Sequence, residues 1–252
     1  MAPVGTRAVL LRAHAYGETS RILRFYTHTH GLLSVMAHGV RGRSGKGTMT
    51  LDTFASGELT AYVRPQRDLH TMKDFSCTHL RSGLGGDLVR FAGASAVAEL
   101  VVSHTDQEPH PEVFVALEEA LDALERVDRT LVPTACLAGA WRIVDAFGFA
   151  PELDACARCA RPLGTDAVGR FDLGAGGILC GDCAQGNAGP RVGPVARGQI
   201  RSLLEGVLDE PVTYPRRHLA LLSDFVAFHV AQKPLKTFRF LADFLPSEED
   251  GP

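Results

Sequence analysis

The stretch TRAVLLRAHAYGETSRILRFYTHTHGLLSVMAHGV, residues 6–40, decides how the first part of this chain folds. It contains three short apolar runs, which are separated by Tyr16-Gly17-Glu18 and by a turn before Gly31. Short runs that end in turn signals are typical of β-strands joined as hairpins. Two similar runs follow, LDTFASGELTAYVRP (51–65) and LHTMKDFSC (69–77). Five strands within roughly 75 residues, with no long helical pattern between them, predict a small closed or Greek-key barrel.

The hydrophobic period changes to that of a helix from about residue 86. Pro111 suits a first helical position and Gly148 suits a helix end. Helical patterns resume at Pro194 after an interruption that contains four cysteines. We therefore expect an α+β protein with a barrel domain at 1–81, a helical domain in two parts at 82–150 and 193–246, an inserted module at 151–192 and a flexible tail at 247–252.

Four of the six cysteines form two Cys-x-x-Cys pairs, Cys156/Cys159 and Cys180/Cys183, with twenty residues between the pairs. Two such pairs on neighbouring hairpins complete a tetrahedral set of four thiolates, which favours zinc over hard cations. Because four protein ligands leave no open position for water, we expect one structural zinc ion (Zn2+) per chain. Two redox-active dithiols are the weaker alternative, since no thioredoxin-like βαβ pattern surrounds either pair.

Basic residues are concentrated in the first part of the chain. Residues 1–81 contain 11 Lys and Arg against 5 Asp and Glu, and the rest contains 15 against 24, so the net charges are +6 and −9. A cationic domain with interleaved aromatic residues (Phe25, Tyr26, Tyr62 and Phe75) is typical of a single-strand binder, although each aromatic is more often a core residue. The predicted DNA-binding residues, three of them in the Gly-rich basic loop between the third and fourth strands, are Arg21, Arg24, Arg41, Arg43, Lys46, Arg64, Arg67 and Lys73.

A second basic group lies in the last helical segments and alternates with large apolar residues. Cations beside apolar pockets suit an acidic, hydrophobic peptide tail, whereas an ordinary amphipathic helix end gives the same pattern. The residues alone support the peptide-binding interpretation and the helix-end interpretation equally. The group consists of Arg216, Arg217, Lys233, Lys236 and Arg239.

No catalytic motif is present, so we predict no enzyme and no catalytic residue. The loop GVRGRSGKGT (39–48) lacks the spacing of a Walker A motif, and neither Gly-x-Ser-x-Gly nor His-Glu-x-x-His occurs. The sequence contains no run of about twenty apolar residues, so it predicts no membrane span. Arg12 and His14 interrupt the first apolar run, so we expect no signal peptide and a cytoplasmic protein.

The order of these parts resembles the bacterial recombination mediator RecO family over nearly the whole chain. The resemblance rests on AVLLRAHAYGETSRILRFYTHTHGLLSVMAHGVRG, on the helical region interrupted by the paired Cys-x-x-Cys motifs, and on the closing KPLKTFRFLADFL. It implies an OB-fold for the barrel and a zinc-ribbon-like insert in the helical domain.

The resemblance also implies a function in DNA repair without catalysis. The protein would bind single- and double-stranded DNA, anneal complementary strands, join RecR and help RecA replace single-strand binding protein (SSB), and it would be cytoplasmic and associated with the nucleoid. The acidic C-terminal tail of SSB would contact the helical domain, which favours the group at 216–239 as its site. Two rivals remain: a zinc-dependent scaffold that uses Arg158, Arg161 and Arg170 of the ribbon as its nucleic-acid contact, and an unrecognised enzyme such as a nuclease.

Overall fold

The computed structural model describes residues 2–39, 51–64, 67–105, 107–231 and 233–246. Its first part is a closed barrel of five strands. The strand order is β1-β2-β3-β5-β4, and every neighbouring pair is antiparallel except β3 and β5. The prediction of a five-stranded OB-fold barrel is confirmed. The strands are β1 (Val4–Tyr16), β2 (Ser20–Thr27), β3 (Gly31–Ala37), β4 (Ser56–Tyr62) and β5 (Leu69–His79).

Alternation along the strands divides the barrel residues between two cores. Leu10, Leu23 and Phe25 lie in the cluster that fills the barrel interior. Val9 and Tyr26, their neighbours along the chain, lie in the cluster that the helices share. One outer face of the barrel is therefore buried against the helical part of the chain, because a strand directs successive side chains to opposite faces.

In the part of the chain that the structure describes, six α-helices follow the barrel, with the cysteine module between the third and the fourth. The helices are α1 (Leu88–His104), α2 (Pro111–Arg126), α3 (Val132–Ala146), α4 (Pro194–Glu205), α5 (Pro215–His229) and α6 (Lys236–Ala242). The module contains the three-stranded sheet β7-β6-β8, formed by β6 (Gly169–Asp172), β7 (Gly177–Leu179) and β8 (Arg191–Val192). The expected helical bundle with an inserted module is confirmed. Within the described residues, no helix combines the length and apolarity needed to cross a membrane.

An acidic stripe on α2, formed by Glu118, Glu119, Asp122 and Glu125, faces the barrel. Glu118 pairs with Arg7 of β1, and Glu125 approaches His79 of β5 at 3.1 Å. A cleft of 460 Å³ separates these elements, and carboxylates of α2 line it. The stripe therefore connects α2 to the barrel through contacts between its carboxylates and basic side chains of the barrel domain.

Arg81 is the buried centre of this contact. Its side chain is 1% exposed, and its guanidinium lies 2.6 Å from Asp122 of α2. The same guanidinium donates to the carbonyl oxygen of Phe54 at 2.8 Å and to Oγ of Ser56 at 2.7 Å. One cation thus satisfies three acceptors from two parts of the fold.

We expect the substitution Arg81→Ala to lower the free energy of unfolding by about 3–5 kcal/mol, because it leaves buried acceptors without their donor. Urea unfolding monitored by circular dichroism measures this change. The matched control is Arg126→Ala, since Arg126 is 73% exposed and lies 3.9 Å from the same carboxylate of Asp122. The control should cost less than about 0.5 kcal/mol. Equal losses in the two variants would contradict the role given to Arg81.

Candidate metal centre and nucleic-acid interface

The four cysteines of the two Cys-x-x-Cys pairs meet at one point. The sulfur atoms of Cys156, Cys159, Cys180 and Cys183 all lie within 4.8 Å of one another, although the first and the third differ by 24 in residue number. Among the described residues they form the one group of three or more His, Cys, Asp or Glu side chains placed to hold a metal ion. The grouping that the sequence spacing predicts is therefore present in the fold.

The surroundings of the sulfurs fit a cation. The backbone N–H of Cys180 donates to Sγ of Cys156 at 3.3 Å. Burial opposes ionisation of the Cys156 thiol, but backbone N–H groups, that of Cys180 first, lower its pKa to about 6. Hydrogen bonds with the other sulfurs, Cys159 first, raise the pKa of Cys183 to about 12. The Cys156 thiol thus ionises readily whereas the Cys183 thiol resists ionisation, as expected where several thiolates would lie close together. A bound cation would remove the repulsion between these thiolates.

The module is attached to the helices by apolar and polar contacts. Phe171 of β6 and Ile178 of β7 are buried in the core that the helices share, and the Phe171 and Phe225 rings meet edge to face at 5.8 Å. Arg197 of α4 donates to the carbonyl oxygens of Gly164 and Thr165, both at 2.7 Å. The module is thus part of the helical core, although its sequence has few large apolar residues.

The three arginines of the module are engaged by the module itself. Arg158 donates to the carbonyl oxygen of Cys183 at 2.8 Å, and Arg161 pairs with Asp182 at 2.8 Å. Arg170 donates to the carbonyl oxygen of Gly189 at 2.7 Å. These contacts give all three side chains an intramolecular partner, which weakens the hypothesis of a ribbon-based nucleic-acid contact.

The predicted DNA-binding residues of the barrel are distributed over three places in the described structure. Arg21 and Arg24 are half-buried on β2, Arg64 and Arg67 are exposed between β4 and β5, and Lys73 is exposed on β5. None of these five forms an ion pair with another described residue. The other three, Arg41, Arg43 and Lys46, lie outside the described residues.

A register shift explains the exposure of Lys73. Thr60 of β4 pairs with Asp74 and Ala61 pairs with Met72, so Lys73 is the extra residue of a bulge on β5. Regular alternation would direct Lys73 to the same side as Phe75, which lies inside the barrel. The bulge instead leaves this cation in solvent, and bulges commonly redirect side chains in this way.

Three of the four aromatic residues considered as a stacking platform lie in the core, which is the interpretation that the sequence favoured for each of them. The Phe25 and Phe75 rings contact each other inside the barrel at 5.0 Å. Tyr26 is fully buried against the helices, where its ring stacks on Phe114. Of the four aromatics considered, Tyr62 alone is half-exposed. Alternation along β2 directs Phe25 into the barrel and Tyr26 out of it, and at this position the outward direction is covered by the helices.

Two residues that the sequence interpretation omitted lie on the free outer face of the barrel. Arg12 of β1 is directly opposite Arg24 of β2, and Tyr16 at the end of β1 is 56% exposed. The sequence carries no signal for this position of Arg12, because the four residues before it, Ala8-Val9-Leu10-Leu11, form one continuous apolar run that does not show where the strand bulges.

The second basic group, at 216–239, is divided between two helices and the turn that joins them. Arg216 of α5 donates to the carbonyl oxygen of Leu245 at 2.9 Å, and the Arg217 guanidinium lies 4.9 Å from the Tyr214 ring. Lys233 lies exposed in the turn between the helices. The group thus has two members at the start of α5, one in the turn after α5 and two on α6.

The orientation of α6 is fixed by its buried side. Phe238 and Leu241 are buried, and the Glu99 carboxylate of α1 accepts from the backbone N–H of Thr237 at 2.8 Å. Lys236 and Arg239 therefore lie on the exposed side, and Phe240, 41% exposed, lies beside Arg239. This side offers cations and an aromatic ring together.

Comparisons with known proteins agree over both parts of the chain. One family model, Recombination protein O N terminal, matches residues 1–81, and another, Recombination protein O C terminal, matches residues 85–238. Curated proteins named DNA repair protein RecO are similar along most of their length. That of Anaeromyxobacter dehalogenans (strain 2CP-C) is 36% identical, with 94% of this chain and 95% of the relative covered. That of Rubrobacter xylanophilus is 33% identical, with 81% of each covered. The barrel, the helical core with its cysteine module and these matches together show that the chain belongs to the Recombination protein O family.

Proposed function

We propose that this protein is a non-catalytic DNA repair and recombination mediator that acts in the cytoplasm on the DNA of the nucleoid. It binds single- and double-stranded DNA, anneals complementary strands and, together with RecR, helps load RecA onto DNA coated with SSB. The observation that supports the proposal most is a closed OB-fold barrel whose described cations Arg21, Arg24, Arg64, Arg67 and Lys73 have no ion-pair partner among the described residues.

Strand annealing requires binding but no hydrolysis. Two strands repel each other through their phosphates, and a cationic surface reduces that repulsion before base pairing supplies the free energy. In the proposal, this surface is supplied by Arg64 and Arg67 between β4 and β5, which have no ion-pair partner in the described ranges, and by the basic loop that contains Arg41, Arg43 and Lys46. In the proposal, DNA binds on sides of the barrel away from the cleft with α2, because four carboxylates line that cleft.

The metal in the proposal is one structural zinc ion held by the four cysteines. Four thiolates of one cluster suit tetrahedral zinc, and they leave no open position for a substrate. The zinc would fix the two Cys-x-x-Cys turns and thereby the sheet β7-β6-β8 that packs on the helices.

The SSB tail in the proposal binds the basic group at 216–239. An acidic peptide that contains an aromatic residue needs cations next to an apolar surface, and the exposed side of α6 offers Lys236, Arg239 and Phe240. Arg216 and Arg217 extend the positive charge along the start of α5.

Annealing of complementary oligonucleotides coated with SSB, without ATP, tests DNA handling and partner recognition together. We expect the native protein to anneal them, and to anneal them much more slowly when the SSB lacks its acidic tail. The variant Lys236→Glu with Arg239→Glu should lose this dependence on the tail while it anneals bare strands at the native rate. The reason is that the change removes the tail contact and leaves the barrel intact.

Three results would contradict the proposal. Failure of the native protein to anneal bare strands would remove the DNA function. Shortened strands on a denaturing gel in the presence of a divalent metal would indicate a nuclease. Equal annealing with tailed and tailless SSB would remove the assignment of the group at 216–239.

A further inference from the structure

A β-bulge places two arginines side by side on the outer face of β1 and β2. Leu10 pairs with Phe25 and Arg12 pairs with Arg24, so Leu11 is an extra residue without a partner on β2. Leu10 lies inside the barrel and Leu11 is buried against the helices. Without the bulge, alternation would direct Arg12 to the barrel interior. With the bulge, Arg12 faces outward next to Arg24.

The arrangement is unfavourable unless an anion is present. Like charges that are directly opposite in a sheet destabilise it. Neither Arg12 nor Arg24 forms an ion pair with a described residue, and the buried Nε of Arg24 has no hydrogen-bond partner among those residues either. Burial first, and the charge of Arg12 second, lower the pKa of Arg24. Two adjacent guanidinium groups with unused donors match the oxygens of a phosphate.

The same face also offers an aromatic ring. Residues 12, 14 and 16 point to one side of β1, and Tyr16 at its end is 56% exposed. A rise of about 3.3 Å per residue places Tyr16 about 13 Å from Arg12 along the strand. This distance exceeds the size of one phosphate and suits a short segment of a nucleic-acid strand, with one base stacked on the ring.

We propose that the outer face of β1 and β2 is a binding site for a DNA single strand, in which Arg12 and Arg24 hold one phosphate and Tyr16 stacks on a base. The site rests on the proposed DNA-binding function and adds Arg12 and Tyr16 to the residues predicted from the sequence. Ser34 of β3, directly opposite Arg24, adds a hydroxyl group beside the pair.

Binding of fluorescent oligo-dT at several salt concentrations tests the site. At about 50 mM salt, Arg12→Gln and Arg24→Gln should each lower the affinity roughly threefold to tenfold, and each should reduce the magnitude of the salt slope by about 0.7. Tyr16→Ala should lower the affinity roughly fivefold to a hundredfold and leave the slope unchanged, because stacking releases no counterions. The matched control is Arg126→Gln on α2, which should change neither quantity.

Thermal unfolding separates binding from folding. The Arg12→Gln and Arg24→Gln variants should melt at the native temperature or above it, since each removes a repulsion between like charges. The site is overturned if the native protein binds oligo-dT and these variants bind it equally well, or if their loss of affinity accompanies a lower melting temperature.

Two further results concern the ligand. If inorganic phosphate alone stabilises the native protein through both arginines while Tyr16→Ala binds oligo-dT normally, the assignment to a strand is wrong. If the native protein does not bind oligo-dT at all, the DNA-binding function itself fails, and this result differs from every outcome seen with the variants.

Discussion

The Cys180→Ser variant is expected to be purified without zinc and to unfold several kcal/mol more easily than the native protein. Structural zinc contributes on the order of 10 kcal/mol in small zinc-binding peptides. In this protein the module also contributes Phe171 and Ile178 to the helical core, so loss of the metal should weaken the helices as well as the module. Metal analysis by mass spectrometry and urea unfolding measure the two effects.

The Cys77→Ser variant is the matched control for this experiment. Cys77 is a half-buried barrel cysteine outside the metal cluster, so its replacement should leave one zinc ion per chain. Below the unfolding temperature, Cys180→Ser should still bind DNA through the barrel. Full stability without metal would show that the four sulfurs hold no structural ion, and complete loss of DNA binding in a folded variant would favour a contact made by the ribbon.

The Arg64→Glu variant combined with Arg67→Glu is expected to bind single-stranded DNA at least about tenfold more weakly at low salt. Both side chains are exposed and have no ion-pair partner among the described residues, so their reversal should leave the fold intact. Loss of two phosphate contacts should reduce the magnitude of the salt slope by about 1.4. Fluorescence anisotropy over a range of salt concentrations gives both values.

A second double variant, Arg158→Glu with Arg161→Glu, tests the cysteine module as the rival DNA contact. It changes the net charge by the same amount as the barrel variant. These side chains already have partners inside the module, at Cys183 and Asp182, so we expect DNA affinity to decrease much less than in the barrel variant. Zinc content must be measured alongside to show that the module is intact. If the ribbon variant lost binding and the barrel variant did not, the nucleic-acid contact would belong to the module.

The order of the folding elements could be predicted from the sequence because its signals are local. Period-two runs with turn residues give the strands, and helical periodicity with Pro111 at a helix start gives the helices. The Cys-x-x-Cys spacing likewise predicts one group of four sulfurs, since each pair forms its own turn. These features depend on neighbours within a few residues along the chain.

The partner of each surface could not be predicted in this way. The sequence shows that Phe25 and Tyr26 are aromatic and that Glu118 is acidic, but it does not show which faces are buried. The fold placed Phe25 inside the barrel and Tyr26 under the helices, and it paired Glu118 with Arg7. Each of these contacts joins segments that are distant in the chain.

The sequence by itself therefore determined the barrel, the helices, the cysteine cluster and the positive charge of the first 81 residues. Only the tertiary structure decided which charges are neutralised within the protein and which remain available. Arg81 is buried on Asp122, whereas Arg12 is turned outward beside Arg24 by one extra residue in β1. The physical reason is that side-chain direction and ion pairing depend on strand register and on packing between distant elements, and a shift of one residue reverses the face.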